Sequence, residues 1–488
     1  MECMQLINKS QKVILSVFLF IIVSVFWSCS GLYDVLGYGE NSGQVVIKTP
    51  EPDTDISAPS EITPKERLWT ILVYMCADND LEAAALEDLC EMEFSGLNTE
   101  AVTVLALVDR NPAYDTSYDN WYGSRLYRIQ TGRAADAKSL ISDVIECKDL
   151  GLSVGSEIEL DMSSSYVLAS SISYVKKRFP ANNYGLIIWG HGTGWRGGLT
   201  ESENMLADGQ SDTKGFAFDS TSKTFMTLYQ LGCGLKAGLD GIKFDFLGFD
   251  TCFGGEVEVL YELKDYAKYC VCSEGLISSS GWNYEALFSS FEKCAYKTSL
   301  DLCECAVSQF KKDYAYKTGA SVVSVDMSFI NQFFAVSDNL CKRAGNLINS
   351  SSIRDEVMNL IFSGRNCPVK RYTYGNAGSD IYLDVPSMMK ALDSYFSDTE
   401  FSELYSDFCG IKQKCFLQSW ASGDAEGGLG IYFSTLNDGL NLSVLHPAAY
   451  IKNKTSDQIA FVRDSAGYVP ALDTGKSFLD SLFYRDFD

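Results

Sequence analysis

From Trp69 onward, short apolar runs alternate with amphipathic stretches, and this alternation is the pattern of an α/β architecture with a largely parallel sheet. Five runs read as core strands, at 69–76, 102–109, 184–189, 244–249 and 269–273, and a sixth covers 320–325. Helical segments fall at 81–94, 166–178, 228–239 and 257–266, each with apolar residues at three- and four-residue spacing. This describes a mostly parallel central sheet flanked by helices over 67–335. Beyond it come a helical stretch, a polar loop over 364–379 and a Gly-rich strand signal over 427–433, read as a smaller C-terminal region, 336–488, packed on the first. With 488 residues, 46% of them hydrophobic, the chain has ample material for its cores.

The N-terminus carries Lys9 and Lys12, an apolar run over 13–27, and then Ser28 and Cys29. That run is short for a bilayer span and reads as an export signal, 1–28. A small residue directly before a cysteine resembles a bacterial lipobox with Cys29 as the lipidated residue, although Phe26 and Trp27 depart from its usual pattern. An ordinary signal peptide and an uncleaved anchor are the alternatives. Residues 29–66 mix Gly, Pro, Ser, Thr and acids without apolar periodicity and read as a tether. The expected location is the cell envelope, as an outer-membrane or surface lipoprotein, or else the medium.

A formal charge of −24 and a pI near 4.5 exclude a sequence-independent grip on nucleic acid, which needs clustered Lys and Arg. The sixteen cysteines are scattered and include no CxxC pair, which argues against zinc. Most read as small buried hydrophobes.

Only two histidines exist, His191 and His446. His446 precedes Pro447 in a polar stretch and reads as a surface residue. His191 lies in the Gly-rich loop 189–195, directly after a core strand, and in open α/β sheets the functional crevice lies beyond the strands' carboxyl ends. Cys252 occupies the corresponding place after the run 244–249. If those strands are neighbours, thiol and imidazole face one crevice as nucleophile and acid/base partner. Backbone N–H groups of Gly192 and Cys252 are natural oxyanion-hole donors. Helix signals from Glu256 place Cys252 just before a helix N-terminus, whose dipole favours a thiolate. Alone, Cys252 reads as a buried thiol and His191 as a packed histidine; their joint placement favours a dyad.

At these loops the sequence resembles the clostripain family, caspase-fold cysteine peptidases related to gingipains, legumains and caspases. The resemblance runs over about 69–325. Its residues are Val73-Tyr74-Met75 with Ala77 to Glu82, Ile188-Trp189-Gly190-His191-Gly192, Phe249-Asp250-Thr251-Cys252, Cys272-Ser273-Glu274 and Gly281-Trp282-Asn283-Tyr284. Glu258 and residues 428–433 also follow the family pattern.

The resemblance implies a caspase-like fold and endopeptidase cleavage of protein or peptide substrates after Arg or Lys, with His191 and Cys252 at the family's catalytic positions and no third catalytic residue. Asp250 matches the family's acid in the S1 pocket, where a buried carboxylate selects a cationic side chain; a structural acid capping the following turn is the alternative. Phe253-Gly254-Gly255 departs from the bulkier family pair and is expected to alter the prime side. Some members are cut between histidine and cysteine. Lys214 is the preferred site here, because Lys223 reads as part of a tight turn and Arg196 lies beside the histidine loop. Some relatives use calcium; no EF-hand-like spacing occurs, so no calcium site is assigned. A non-catalytic surface lipoprotein with this fold, or an acyltransferase or amidase in the same geometry, are the competing readings.

Overall fold

A computed structural model describes residues 67–111, 113–195, 215–362, 367–374, 380–423, 427–434 and 459–465, together with 478 and 482. These belong to one compact unit spanning 52–488. Cys29, Arg196, Lys214 and His446 lie outside the described residues.

The strands are β1 (Trp69–Ala77), β2 (Val102–Arg110), β3 (Gly123–Arg128), β4 (Asp143–Ile145), β5 (Asn183–Trp189), β6 (Phe216–Asp219), β7 (Thr224–Met226), β8 (Phe246–Asp250), β9 (Tyr269–Cys272), β10 (Ser321–Asp326), β11 (Arg371–Tyr374), β12 (Asp380–Asp384), β13 (Phe416–Ala421) and β14 (Gly430–Ser434). The α-helices are α1 (Glu82–Phe94), α2 (Ser165–Arg178), α3 (Leu228–Leu239), α4 (Val257–Leu263), α5 (Tyr284–Glu292), α6 (Ser299–Tyr314), α7 (Ile330–Ser351), α8 (Arg354–Phe362), α9 (Val385–Phe396), α10 (Thr399–Cys415) and α11 (Ala460–Asp464).

A nine-stranded sheet runs in the order β13-β10-β9-β8-β5-β1-β2-β3-β4. Its middle, β9-β8-β5-β1-β2, is parallel throughout, and the two strands at each flank are antiparallel. The middle strands carry near-continuous apolar runs because both of their faces are covered. Along β1, Ile71, Val73 and Met75 join one core with α1, α5 and α6, while Leu72, Tyr74 and Cys76 join the other with α2 and α3. The two faces alternate because successive side chains of a strand point in opposite directions.

Two small sheets complete the fold, β11-β12-β14 and the hairpin β6-β7. The stretch read as a polar loop over 364–379 therefore contains a strand, β11. β13 also comes from beyond residue 335, yet it hydrogen-bonds to β10 in the main sheet. Buried carboxylates hold β14 and its approach against the middle of the chain. Glu258 accepts from Tyr432 N at 3.0 Å, and Glu274 accepts from Gly428 N at 3.0 Å. Fourteen cysteines among the described residues are free thiols, and most are buried. No helix among the described residues is long and apolar enough to cross a membrane.

Candidate active site

The strands that end at the two loops of interest, β5 and β8, are direct parallel neighbours, with Trp189 opposite Asp250. His191 and Cys252 each follow two residues later, so the loops leave the same sheet edge side by side. Gly192 shows how closely they run. A Cβ there would meet the Cys252 carbonyl oxygen at 2.5 Å and Thr251 Cβ at 2.8 Å, contacts no side chain tolerates. Two residues on, Gly194 has φ +76°, and a Cβ would fall 1.9 Å from the buried Glu256 carboxylate, which accepts from Trp195 N. Neither Gly192 N–H nor Cys252 N–H makes a backbone hydrogen bond among the described residues.

His191 is partly exposed and bonds through Nε2 to Asp80 Oδ1 at 2.6 Å. That bond holds the Asp80 carboxyl below its usual range. The edge of Phe218, from β6, packs on the imidazole at 5.9 Å. Asp80 sits in the turn between β1 and α1. The turn is fixed by Asn79, whose side chain donates to Cys76 O and Phe218 O and accepts from Leu81 N. Behind it Glu82, the first residue of α1, forms a fully buried ion pair with Arg110 at 2.5 Å. Asp80 is the site residue that sequence reasoning missed. Its motif stood out, but the register of β1 against β5 is what carries it to the imidazole.

The Cys252 thiol accepts from Ile277 N at 3.2 Å and faces Ile277 O at 3.6 Å. Burial, with Asp250 adding a smaller push, raises it to about 11. The expected helix-dipole effect does not prevail. α4 begins only at Val257, with Glu256 as its N-cap, leaving Cys252 about a turn short of the helix. Phe253, in the left-handed region at φ 56°, is fully buried, and its ring packs against Tyr382 at 4.7 Å.

Asp250 is buried beneath these loops. Its oxygens accept from Trp282 N at 3.1 Å and Tyr284 OH at 3.0 Å. Burial pushes its carboxyl up to about 7, and among the described residues no lysine or arginine pairs with it. Lys223 lies at φ 59° between β6 and β7, in the tight turn expected for it.

A thiol and an imidazole on adjacent parallel strand ends, in a helix-flanked sheet with antiparallel edges, define the caspase-like α/β class. Solved structures of C11 proteases share the fold. A zymogen C11 protease from Parabacteroides distasonis superposes with a TM-score of 0.55 at 19% identity, covering 83% of this chain and 99% of that one. A secreted C11 cysteine protease from Bacteroides thetaiotaomicron, bound to an irreversible peptide inhibitor, gives 0.54 at 18% identity, covering 80% and 99%. The chain belongs to the clostripain family, whose model matches residues 73–427. It is 27% identical over 241 residues to clostripain of Hathewaya histolytica, an alignment that takes in 46% of this chain and 42% of that protein's length.

Proposed function

We propose that this chain is an exported cysteine endopeptidase that cleaves after Arg or Lys through Cys252 and His191. The observation that carries the reading is the pairing of β5 with β8, which sets the two loops side by side with Gly192 against Cys252. In this reading the thiol proton passes to His191 as sulfur attacks the scissile carbonyl carbon. The oxyanion takes hydrogen bonds from Gly192 N–H and Cys252 N–H. His191 then protonates the leaving amine, and water hydrolyses the thioester. With Nε2 held by Asp80, Nδ1 is the nitrogen left for these transfers.

The neighbours support the same reading, being a secreted C11 cysteine protease and a C11 zymogen. A raised Cys252 pKa and the Ile277 contact suit a resting form whose activation is a cut in the segment after the histidine, with Lys214 as the proposed site. Lipidation at Cys29 is proposed as the tether. Hydrolysis of Arg and Lys amides, but not Leu or Asp amides, tests the function. Intact mass of the same preparation reports acylation at Cys29 and cleavage after Lys214.

Asp250 is the proposed S1 acid. Its folded pKa, about 7, lies above the unfolded value, so ionisation at neutral pH works against folding, and a bound guanidinium or ammonium relieves that cost. The sign for substrate follows. Cationic substrates bind the ionised form, so KM for an Arg amide falls as pH rises through about 7. Asp250→Asn is expected to remove that inflection and to lower kcat/KM for Arg over Leu by about 100-fold or more. An unchanged Arg/Leu ratio would mean the carboxylate only fixes the 281–284 loop.

Asp80 is proposed as a positioning residue. Asp80→Ala is expected to cut kcat roughly 10–100-fold with KM little changed, because the imidazole loses the carboxylate that orients it. Asp80→Glu, which keeps the charge, is expected to recover part of the rate. Equal loss in both variants, or a change carried by KM rather than kcat, contradicts the assignment.

A further inference from the structure

Helices α5 and α6 follow one another on one face of the sheet, and two thiols meet where they join. Cys294 lies two residues past the end of α5, and Cys305 lies in the second turn of α6. Their sulfurs are 3.8 Å apart. The sulfurs of a disulfide are about 2 Å apart, so joining the pair takes a further approach of about 2 Å, within reach of rotations about the side-chain torsions.

The backbone around the pair is already fixed. Thr298 and Asp301 form a capping box at the start of α6. Lys297, in the left-handed region at φ 47°, turns its Nζ back onto Glu292 O at 2.8 Å and Cys294 O at 3.3 Å, and its own carbonyl accepts from Trp69 Nε1 at 2.5 Å. Across the helix pair, Gln309 Nε2 donates to Ser290 Oγ at 2.8 Å. Thiols held together by a pinned turn lose little freedom when joined, whereas the unfolded chain loses the freedom of the loop between them.

Exposure differs between the two, and that sets an order of attack. Cys294 is partly exposed, and Cys305 is 7% exposed. Burial, with Cys294 adding a smaller push, raises the Cys305 thiol to about 12. Cys294 is therefore the thiol that an outside oxidant meets first. Cys270 and Cys272, which share a face of β9, are both at 1% exposure or less and lack that access.

We propose that Cys294 and Cys305 form a disulfide once the chain meets an oxidising compartment, a reading that rests on the export proposed above. The oxidant is itself a disulfide, carried by a thiol oxidase or by a small molecule. The Cys294 sulfur, as thiolate, attacks one oxidant sulfur, the oxidant's S–S bond breaks, and one oxidant thiol leaves. The Cys305 sulfur, its proton lost to solvent, then attacks the Cys294 sulfur and expels the second oxidant thiol. The two cysteines give up two electrons, the oxidant disulfide takes them, and the two cysteine protons pass through solvent to its thiols. The bond staples the far ends of two helices whose near ends carry Tyr284 and Tyr314. Tyr284 OH donates to Asp250, and Tyr314 OH accepts from Ser278 N and donates to Gly281 O, so the helix pair bounds the loop beside Asp250.

The test uses the full-length Cys252→Ala protein, which removes the nucleophile as a competing thiol. It is reduced and then equilibrated with equimolar reduced and oxidised glutathione. After alkylation, label on Cys294 and Cys305 should be lost, and the non-reduced peptide map should join their two peptides. Oxidation should raise Tm by about 2 °C or more. Cys303 shares a tryptic peptide with Cys305. Cys294→Ser and Cys305→Ser are therefore each expected to abolish the linked peptide and the Tm rise, whereas Cys303→Ser keeps both. Reduced Cys294→Ser, altered at a partly exposed position, should melt with the reduced parent. The pairing is overturned if both thiols stay alkylated, if glutathione stays on Cys294 without passing to Cys305, or if Cys294 links elsewhere. The buffer supplies the oxidant, so failure there counts against the pairing itself. Linkage in buffer beside free thiols in protein recovered from its own cells counts against export instead.

Discussion

Cys252→Ala is expected to abolish hydrolysis of Arg and Lys amides, with kcat/KM falling by on the order of 10⁴-fold or more. Cys252→Ser is expected to be equally silent, although its hydroxyl can keep the hydrogen bonds to Ile277, because a hydroxyl is a far weaker nucleophile than a thiolate. Agreement between the two variants separates nucleophilicity from packing. Both should melt close to the parent, since the position is only partly buried and alanine leaves one backbone donor without its sulfur. Stopped assays with active-site titration provide the measurement. More than about 1% residual turnover would transfer the reaction to another thiol. The partly exposed alternatives, Cys233, Cys294, Cys367 and Cys409, follow neither β5 nor β8, and His191 is the only histidine among the described residues.

Arg110→Met is expected to cost about 3–5 kcal/mol and to lower Tm by roughly 10 °C. Both members of the Glu82–Arg110 pair are fully buried, so the substitution leaves a carboxylate in the interior without its cation. Arg110 also donates to Asp115 O and lies over the Trp121 ring at 4.8 Å, contacts that methionine replaces only in part. The pH dependence supplies a signature. Burial already raises Glu82 with Arg110 present, and without it the folded pKa climbs further above the unfolded one. Glu82 then contributes stability only while protonated, so the loss should be smaller at pH 5 than at pH 8. Thermal melts at both values test this; equal losses would mean packing, not charge, sets the effect. The variant should also lower kcat, because the pair anchors the turn that carries Asp80.

The legible parts of this molecule were those with local causes. The runs at 69–76, 102–109 and 184–189 match β1, β2 and β5 within a residue at each end, because a strand covered on both faces must be apolar throughout. Helix 228–239 matches α3 at both ends; Thr227 and Gln230 form a capping box there, a signal contained in four consecutive residues. The helix read to residue 266 stops at Leu263, since Lys264 to Tyr266 turn into the bridge between Phe244 and Ala267. β11 was missed inside a polar stretch because its pairing partner, β12, supplies the order that its own composition does not.

Chain order alone determined that His191 and Cys252 each follow an apolar strand in a glycine-containing loop, and that few residues could serve as the imidazole. Only the tertiary structure decided that β5 and β8 are neighbours, that the thiol meets Ile277 rather than a helix dipole, and that Asp80 reaches His191 across 111 positions. The physical reason is common to all of these. Apolar periodicity is written by the solvent into each short segment, whereas contacts between loops depend on strand order and register, which arise from packing the whole sheet.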